Sequence, residues 1–285
     1  MRTLWEGELL GAGVHYEDQG VMRTVALAPS GRRAFFGGGG HTGGSGSDGF
    51  FLVDLEEGTH LELLESPPTA CISATFSADE HELLALTHSS LYVFDLASGR
   101  HRCLAMPGQR EIAGVDDAAL VWTTPRTLLV ATGGLLVEVD LETDRADVIP
   151  SDASRFSRVA GPLPAGGALV TTQTGGSART LWRVNGRTLT KLWTTAHEIA
   201  WVAPAANQAF LIAHDDEGEA RFLRRRLDTN KTTKIALPEE LAEELEGNLN
   251  PYVIAMSSDA RQMLLSRDQD DIGEVFLLRV PPTKR

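Results

Sequence analysis

A chain of 285 residues, 42% hydrophobic and 23% charged with 28 glycines, is long enough to bury a sizeable core and falls among globular sequences rather than disordered or fibrous ones. Its 39 acidic against 26 basic side chains leave a formal charge of −13, a field that repels nucleic-acid phosphates and anionic lipid headgroups and so argues against both as partners. The two cysteines, Cys71 and Cys103, have no second thiol at metal-ligand spacing, so neither a zinc site nor a disulfide framework is expected, and both read as small packed residues.

The opening Met1-Arg2-Thr3-Leu4-Trp5-Glu6-Gly7 carries no apolar signal-peptide core, and no run of 18 apolar residues follows, so a cytoplasmic chain is expected. Thr24–Leu27 then reads as a strand, and a turn at Ala28-Pro29-Ser30-Gly31 leads into a second at Arg33–Phe36. After a glycine-rich loop, Phe50–Leu55 alternates into the turn Asp54-Leu55-Glu56-Glu57-Gly58, with a fourth strand at Glu62–Leu64. The same order returns as Ala70–Ala74, Leu83–Leu86, Leu91–Asp95 with its turn to Gly99, and Arg102–Ala105. It returns again as Thr127–Val130, Leu135–Asp140 with its turn to Asp144, and Ala146–Ile149. Aspartate at the head of such a turn accepts from backbone N–H groups two residues on, and Gly or Asp tolerates the left-handed conformation at its end.

Three further copies keep the strands and replace that aspartate by arginine. They run through Ala168–Val170, Thr180–Val184 and Leu189–Trp193; through Ala209–Ile212, Arg221–Leu227 and Thr233–Leu237; and through Met263–Leu265 and Glu274–Val280. Aligning Asp54, Asp95, Asp140, Arg183, Arg226 and Arg279 gives spacings of 41, 45, 43, 43 and 53 residues. A period in the low forties fits one four-stranded blade of a β-propeller. The expected fold is therefore all-β, a single six-bladed propeller domain spanning 1–285, with blades near 21–66, 67–106, 112–150, 156–194, 197–237 and 251–280. Pro281-Pro282 stops pairing after the last copy, so its fourth strand is sought at residues 2–7. Arg2-Thr3-Leu4-Trp5-Glu6 matches Thr190-Lys191-Leu192-Trp193-Thr194 in pattern and would close the ring, removing an edge that invites aggregation. In this architecture the chain resembles the WD40-like and YVTN-like propeller proteins over essentially its whole length.

Within each unit the strands are denoted a to d in chain order. The b-to-c loops and the d-to-a connections fall on one face, where propellers usually bind. On that face the expected binding residues are His41, Asp48, Arg155, His197, Asp215, Asp216, Tyr252, Asp268 and Asp270. The loop Gly37–Gly49 lacks the Gly-Lys-Ser/Thr ending and the following helix of a phosphate cradle, so it reads as a hairpin tip whose glycines satisfy unusual dihedrals. Asp268-Gln269-Asp270-Asp271 begins like a calcium loop, but Ile272 stands where an oxygen ligand belongs; Asp268, Asp270 and Asp271 are thus weak metal candidates and solvated loop charge is expected instead. No nucleophile elbow is present and the eight histidines are scattered, so no catalytic residue and no cofactor is expected.

Before the sixth copy, residues 238–247 read as a short acidic helix, with leucines at 237, 241 and 245 on one stripe. The arginines at 221 and 224–226 are expected on an outer strand, pairing with it. Together these features predict a non-enzymatic platform for a protein or peptide partner, with a metal-assisted hydrolase or lyase, or a small-ligand sensor at the channel mouth, as the alternatives.

Overall fold

The computed structural model describes residues 24–37, 49–65, 71–87, 90–107, 119–132, 134–151, 155–163, 166–174, 177–205, 207–214, 220–235, 252–256, 262–269 and 272–279. Every regular element among them is a β-strand, and the strands form antiparallel sheets made of consecutive segments of chain. By its internal contacts the chain divides into two compact units, Met1–Ile149 and Pro150–Arg285.

The first unit holds three four-stranded sheets. Sheet A comprises β1 (Thr24–Leu27), β2 (Arg33–Gly37), β3 (Gly49–Asp54) and β4 (Thr59–Glu65). Sheet B comprises β5 (Cys71–Phe76), β6 (Glu82–Thr87), β7 (Ser90–Asp95) and β8 (Arg100–Ala105). Sheet C comprises β9 (Ala119–Thr124), β10 (Thr127–Thr132), β11 (Leu135–Asp140) and β12 (Arg145–Val148). The first strand of each sheet packs on the first strand of the next, β1 on β5 and β5 on β9, while the fourth strand forms the opposite edge. Between sheets A and B lies an aromatic core in which Phe50 meets Phe35, Tyr92 and Phe94 edge to face at 5.6, 5.7 and 6.2 Å. Between B and C the core is aliphatic, built from Leu84, Leu86, Val93, Leu128, Val130 and Val137. Residues two apart on a strand share a face, and each of these positions obeys that rule, which is why strands buried on both faces read as continuous apolar runs.

The second unit repeats the plan. Sheet D comprises β13 (Phe156–Pro162), β14 (Ala168–Thr174), β15 (Ser177–Asn185) and β16 (Thr188–Thr194). Sheet E comprises β17 (Glu198–Ala205), β18 (Gln208–His214), β19 (Ala220–Arg226) and β20 (Thr232–Lys234). Sheet F has three described strands, β21 (Tyr252–Met256), β22 (Gln262–Gln269) and β23 (Ile272–Arg279). Again the first strands pack together, β13 on β17 and β17 on β21. Leu169 and Leu181 of sheet D meet Val202 and Leu211 of sheet E in a shared core.

The c-to-d turns explain the repeated Asp-Leu-x-x-Gly. Asp54 and Asp95 each end a c strand and accept the backbone N–H groups two and three residues on at 2.9 to 3.0 Å. Gly58 and Gly99 close these turns at φ +66° and +68°, and Asp144 takes the same left-handed conformation in sheet C. In the fifth copy the turn is rebuilt rather than lost: the Arg226 guanidinium grips Asp228 at 2.7 and 3.1 Å, and Asn230 takes the positive φ. In the fourth copy Arg183 lies two residues short of the strand end, and Gly186-Arg187 forms the turn between the paired Asn185 and Thr188, with Gly186 at positive φ.

Three expectations change. Cys71 is buried as expected, but Cys103 is exposed on the outer strand β8, and the two form no disulfide. Arg225 does not decorate an outer surface; it is buried. The segment expected as a loop around Asp268 is partly strand, because β22 and β23 stay paired from Gln262↔Arg279 to Gln269↔Ile272. The closing segment 2–7 and the helix at 238–247 lie outside the described residues.

Candidate functional site

Register fixes which residues stand at which end of each sheet. The d-to-a connections and b-to-c hairpins share one end, because each first strand begins opposite the end of its second: Phe156↔Thr172, Glu198↔His214 and Tyr252↔Ser266. Arg155 precedes β13 at that end with an exposed side chain, and its carbonyl accepts the Gln173 N–H at 2.8 Å. His197 precedes β17, partly buried; its backbone N–H donates to Thr195 Oγ1 at 3.1 Å and its Nδ1 is enclosed without a hydrogen-bond partner. Tyr252 is the first residue of β21. Since β13, β17 and β21 pack in series, Arg155, His197 and Tyr252 share one end of the second unit.

Asp268 is carried at the same end but within β22, where its backbone pairs with Gly273; the expected loop is here a continued ladder. His41, Asp48, Asp215, Asp216, Asp270 and Asp271 lie outside the described residues. Among the described residues no group of three His, Cys, Asp or Glu side chains is arranged to hold a metal ion.

A hydroxyl network at this end went unnoticed in the sequence. Ser157 Oγ and Thr171 Oγ1 lie 2.8 Å apart, Trp182 Nε1 donates to Thr172 Oγ1 at 2.9 Å, and Thr180 and Thr194 pair at 3.3 Å. In sheet B, Thr87 Oγ1 accepts the Ser90 N–H and donates to its carbonyl, both at 3.1 Å, tying the end of β6 to the start of β7. Buried hydroxyls are tolerated because each finds a partner. The run Thr171-Thr172-Gln173-Thr174, at the end of an otherwise apolar strand, is the signal that could have located them.

In the first unit the a-to-b and c-to-d end of the sheets is chemically committed. The carboxylates of Asp54, Asp95 and Asp140 are held below their usual range, first by backbone N–H groups of their own turns. Glu80 reaches from sheet B to sheet A, accepting from the Ser30 backbone N–H, the Ser30 hydroxyl at 3.1 Å and Arg33 at 3.0 Å. The Ser30 N–H is the largest cause of its lowered pKa. Arg102 ties sheet B to sheet C through Asp144 and the Leu141 carbonyl, both at 3.1 Å.

No protein-family model matches the chain, and no curated protein matches it in sequence. Solved structures do match in shape. The β-propeller domain of Myceliophteria thermophila Cps50 (Swd1) superposes with a TM-score of 0.65 at 15% identity, over 94% of this chain and 89% of that one. The chain has the β-propeller fold. Kuenenia stuttgartiensis hydrazine synthase is similar at TM-score 0.65 and 13% identity, over 91% of this chain and 77% of that one. Oligogalacturonate lyase from Vibrio parahaemolyticus is similar at TM-score 0.61 and 13% identity, over 92% and 75%. At such identities the likeness concerns this propeller's architecture, and unlike functions share one fold.

Proposed function

We propose that this chain is a six-bladed propeller that binds a protein or peptide segment at the end carrying its b-to-c hairpins and d-to-a connections, without chemistry of its own. The observation that supports this reading is the division of labour between the two ends of the sheets. At the a-to-b and c-to-d end the charged side chains hold turns and neighbouring sheets together, through Asp54, Asp95, Asp140, Glu80 and Arg102. At the other end of the second unit an exposed arginine, a partly buried histidine and Tyr252 are set on the starts of three packed strands. Arginine and tyrosine are the residue types that anchor protein interfaces, supplying fork-shaped donors and amphipathic area at low conformational cost. Asp215, Asp216, Asp268 and Asp270 belong to the same proposed surface and would add carboxylates for a basic residue of the partner.

The test is a display library of short peptides selected against the intact chain, followed by affinity measurement on the enriched sequence. Arg155→Ala and Tyr252→Ala are expected to weaken it more than about tenfold, the scale of an interface hot spot. Arg226→Ala, at the committed end, is expected to leave it unchanged. A selected peptide insensitive to the first two changes and sensitive to the third would overturn the reading. Six-blade closure is part of the proposal. Removing residues 2–7 should lower the melting temperature and promote self-association, because β23 would lose its expected outer neighbour; identical melting and sedimentation would overturn the closure.

A further inference from the structure

Sheet D ends its outer hairpin differently from the sheets of the first unit. β3, β7 and β11 each finish on an aspartate, Asp54, Asp95 or Asp140, whose carboxylate accepts backbone N–H groups two and three residues on. β15 finishes on Asn185 instead, and the register Asn185↔Thr188 leaves only Gly186 and Arg187 in the turn. Gly186 stands at φ +52°, the left-handed conformation that the first central residue of a two-residue hairpin turn adopts. Of the chain's five asparagines, Asn185 alone is followed by glycine; Asn207, Asn230, Asn248 and Asn250 precede Gln208, Lys231, Leu249 and Pro251.

The pair Asn185-Gly186 has a chemistry of its own. The backbone nitrogen after an asparagine can attack the side-chain Cγ and close a five-membered imide. A Cβ on the attacking residue crowds that approach, and glycine has none. In this turn the reacting groups are also uncommitted. Asn185 and Gly186 are exposed, and neither the Asn185 side-chain amide nor the Gly186 N–H is hydrogen bonded among the described residues. A Cβ built at Gly186 would meet nothing within 4 Å, so the ring has room to form. The extended backbone of a strand end must turn before the Gly186 nitrogen reaches Cγ. Asn185↔Thr188 is the last rung of the β15–β16 ladder, and terminal rungs open locally without unfolding the sheet.

We propose that Asn185-Gly186 is a self-modifying site, at which Asn185 deamidates through a cyclic imide formed with the Gly186 nitrogen. The bond from that nitrogen to Cγ forms, the Cγ–Nδ2 bond breaks, and the amide departs as ammonia carrying the Gly186 proton. Water then opens the ring at either carbonyl; no oxidant, reductant or enzyme takes part. Opening at Cγ gives aspartate, the residue type that ends β3, β7 and β11. Opening at the main-chain carbonyl gives isoaspartate, in which the backbone runs through the former side chain and is longer by a methylene. Isoaspartate cannot keep the rung Asn185↔Thr188 in register, whereas aspartate can. Either product adds a negative charge to residues 150–285, where 17 acidic and 17 basic side chains balance.

The test is peptide mapping by mass spectrometry of the intact chain held for days in mildly alkaline buffer, beside a denatured sample and an Asn185→Gln variant. Glutamine keeps the amide but carries it a methylene further from the Gly186 nitrogen, so its ring closes far more slowly. At an exposed position the change should leave the melting temperature unaltered. The fragment carrying Asn185 is expected to gain the mass of an amide-to-acid change and to resolve into aspartate and isoaspartate forms, ahead of the fragments carrying Asn207 and Asn230. Its native rate should lie within about tenfold of the denatured rate, because only a terminal rung has to open. In Asn185→Gln the same fragment should stay unchanged over that period. An Asn185 fragment that converts no faster than the Asn207 fragment, or more than about tenfold slower in the native chain than in the denatured one, would overturn the proposal.

Discussion

Replacing Phe50 by alanine tests whether the aromatic contact between sheets A and B is a principal source of stability in the first unit. Phe50 is fully buried and meets three rings edge to face, Phe35, Tyr92 and Phe94. Truncating a buried phenylalanine costs about 3–5 kcal/mol in lost transfer energy and residual cavity. Edge-to-face pairs add about 0.5–1.5 kcal/mol each beyond area burial, so three of them place Phe50→Ala at the upper end, about 4–5 kcal/mol. For a cooperative unit of this size each kcal/mol lowers the melting temperature by about 2–4 °C, giving an expected fall of roughly 8–20 °C by calorimetry or circular dichroism. Leu61→Ala on the outer strand β4 is the control: Leu61 is 55% exposed, and such surface changes usually stay within about 0.5 kcal/mol. If Phe50→Ala melts within about 3 °C of the parent, or no lower than Leu61→Ala, the seam between these sheets is not packed as described and the argument fails.

The turn carboxylates set the acid response. Asp54, Asp95, Asp140 and Glu80 have folded pKa values below their unfolded ones, so the stability they contribute is present above the unfolded carboxylate range near about 4 and is lost as pH falls through the depressed folded values. Melting temperature should therefore drop steeply below that range, and an Asp54→Asn/Asp95→Asn/Asp140→Asn variant should show a shallower drop; parallel curves would refute the assignment. Gly166 and Gly167 both have positive φ, yet a Cβ at Gly166 meets open space while one at Gly167 would lie 2.0 Å from the Val184 carbonyl oxygen. Gly166→Ala should cost on the order of 1 kcal/mol in denaturant unfolding and Gly167→Ala several times that, and equal costs would contradict the close approach of that turn to β15. A thiol reagent should modify one cysteine, Cys103, in the folded chain and both after denaturation, since Cys71 is buried and Cys103 exposed; two fast native reactions would place Cys71 wrongly.

Much of the architecture was legible because the blade period is written in turn chemistry. Asp54-Leu55-x-x-Gly58 and Asp95-Leu96-x-x-Gly99 announce a c-to-d turn whose hydrogen bonds need those residue types, and the flanking strands follow within a residue or two. The degenerate copies show where such reading stops. Arg226 occupies the aspartate's position, and only coordinates reveal that Asp228 and Asn230 rebuild the turn around it. Alternation predicts which residues share a face but not how long a ladder persists, which is why β22 and β23 ran through a segment read as loop and carried Asp268 into a strand. The site residues were placed by topology alone. Topology assigned Arg155, His197 and Tyr252 to one end, whereas the hydroxyls of Ser157, Thr171 and Thr172 carry no long-range pattern and emerged only from their mutual distances.

The arginines at 221 and 224–226 show why a charge average misleads. Taken over the whole chain, −13 argues against anionic partners, because the far field of a molecule follows its net charge. Within about one Debye length, roughly 8–10 Å at physiological salt, a ligand responds instead to the nearest charges. The second unit, whose acidic and basic residues balance, is not described by that average. Reading Arg221 and Arg224–Arg226 together as one outer-strand group missed the period of two: Arg225 turns inward onto Trp193, while Arg226 turns to Asp228. A buried cation on a strand is costly to keep, and its location between two sheets rather than on the exposed rim makes it a specific demand on whatever meets it.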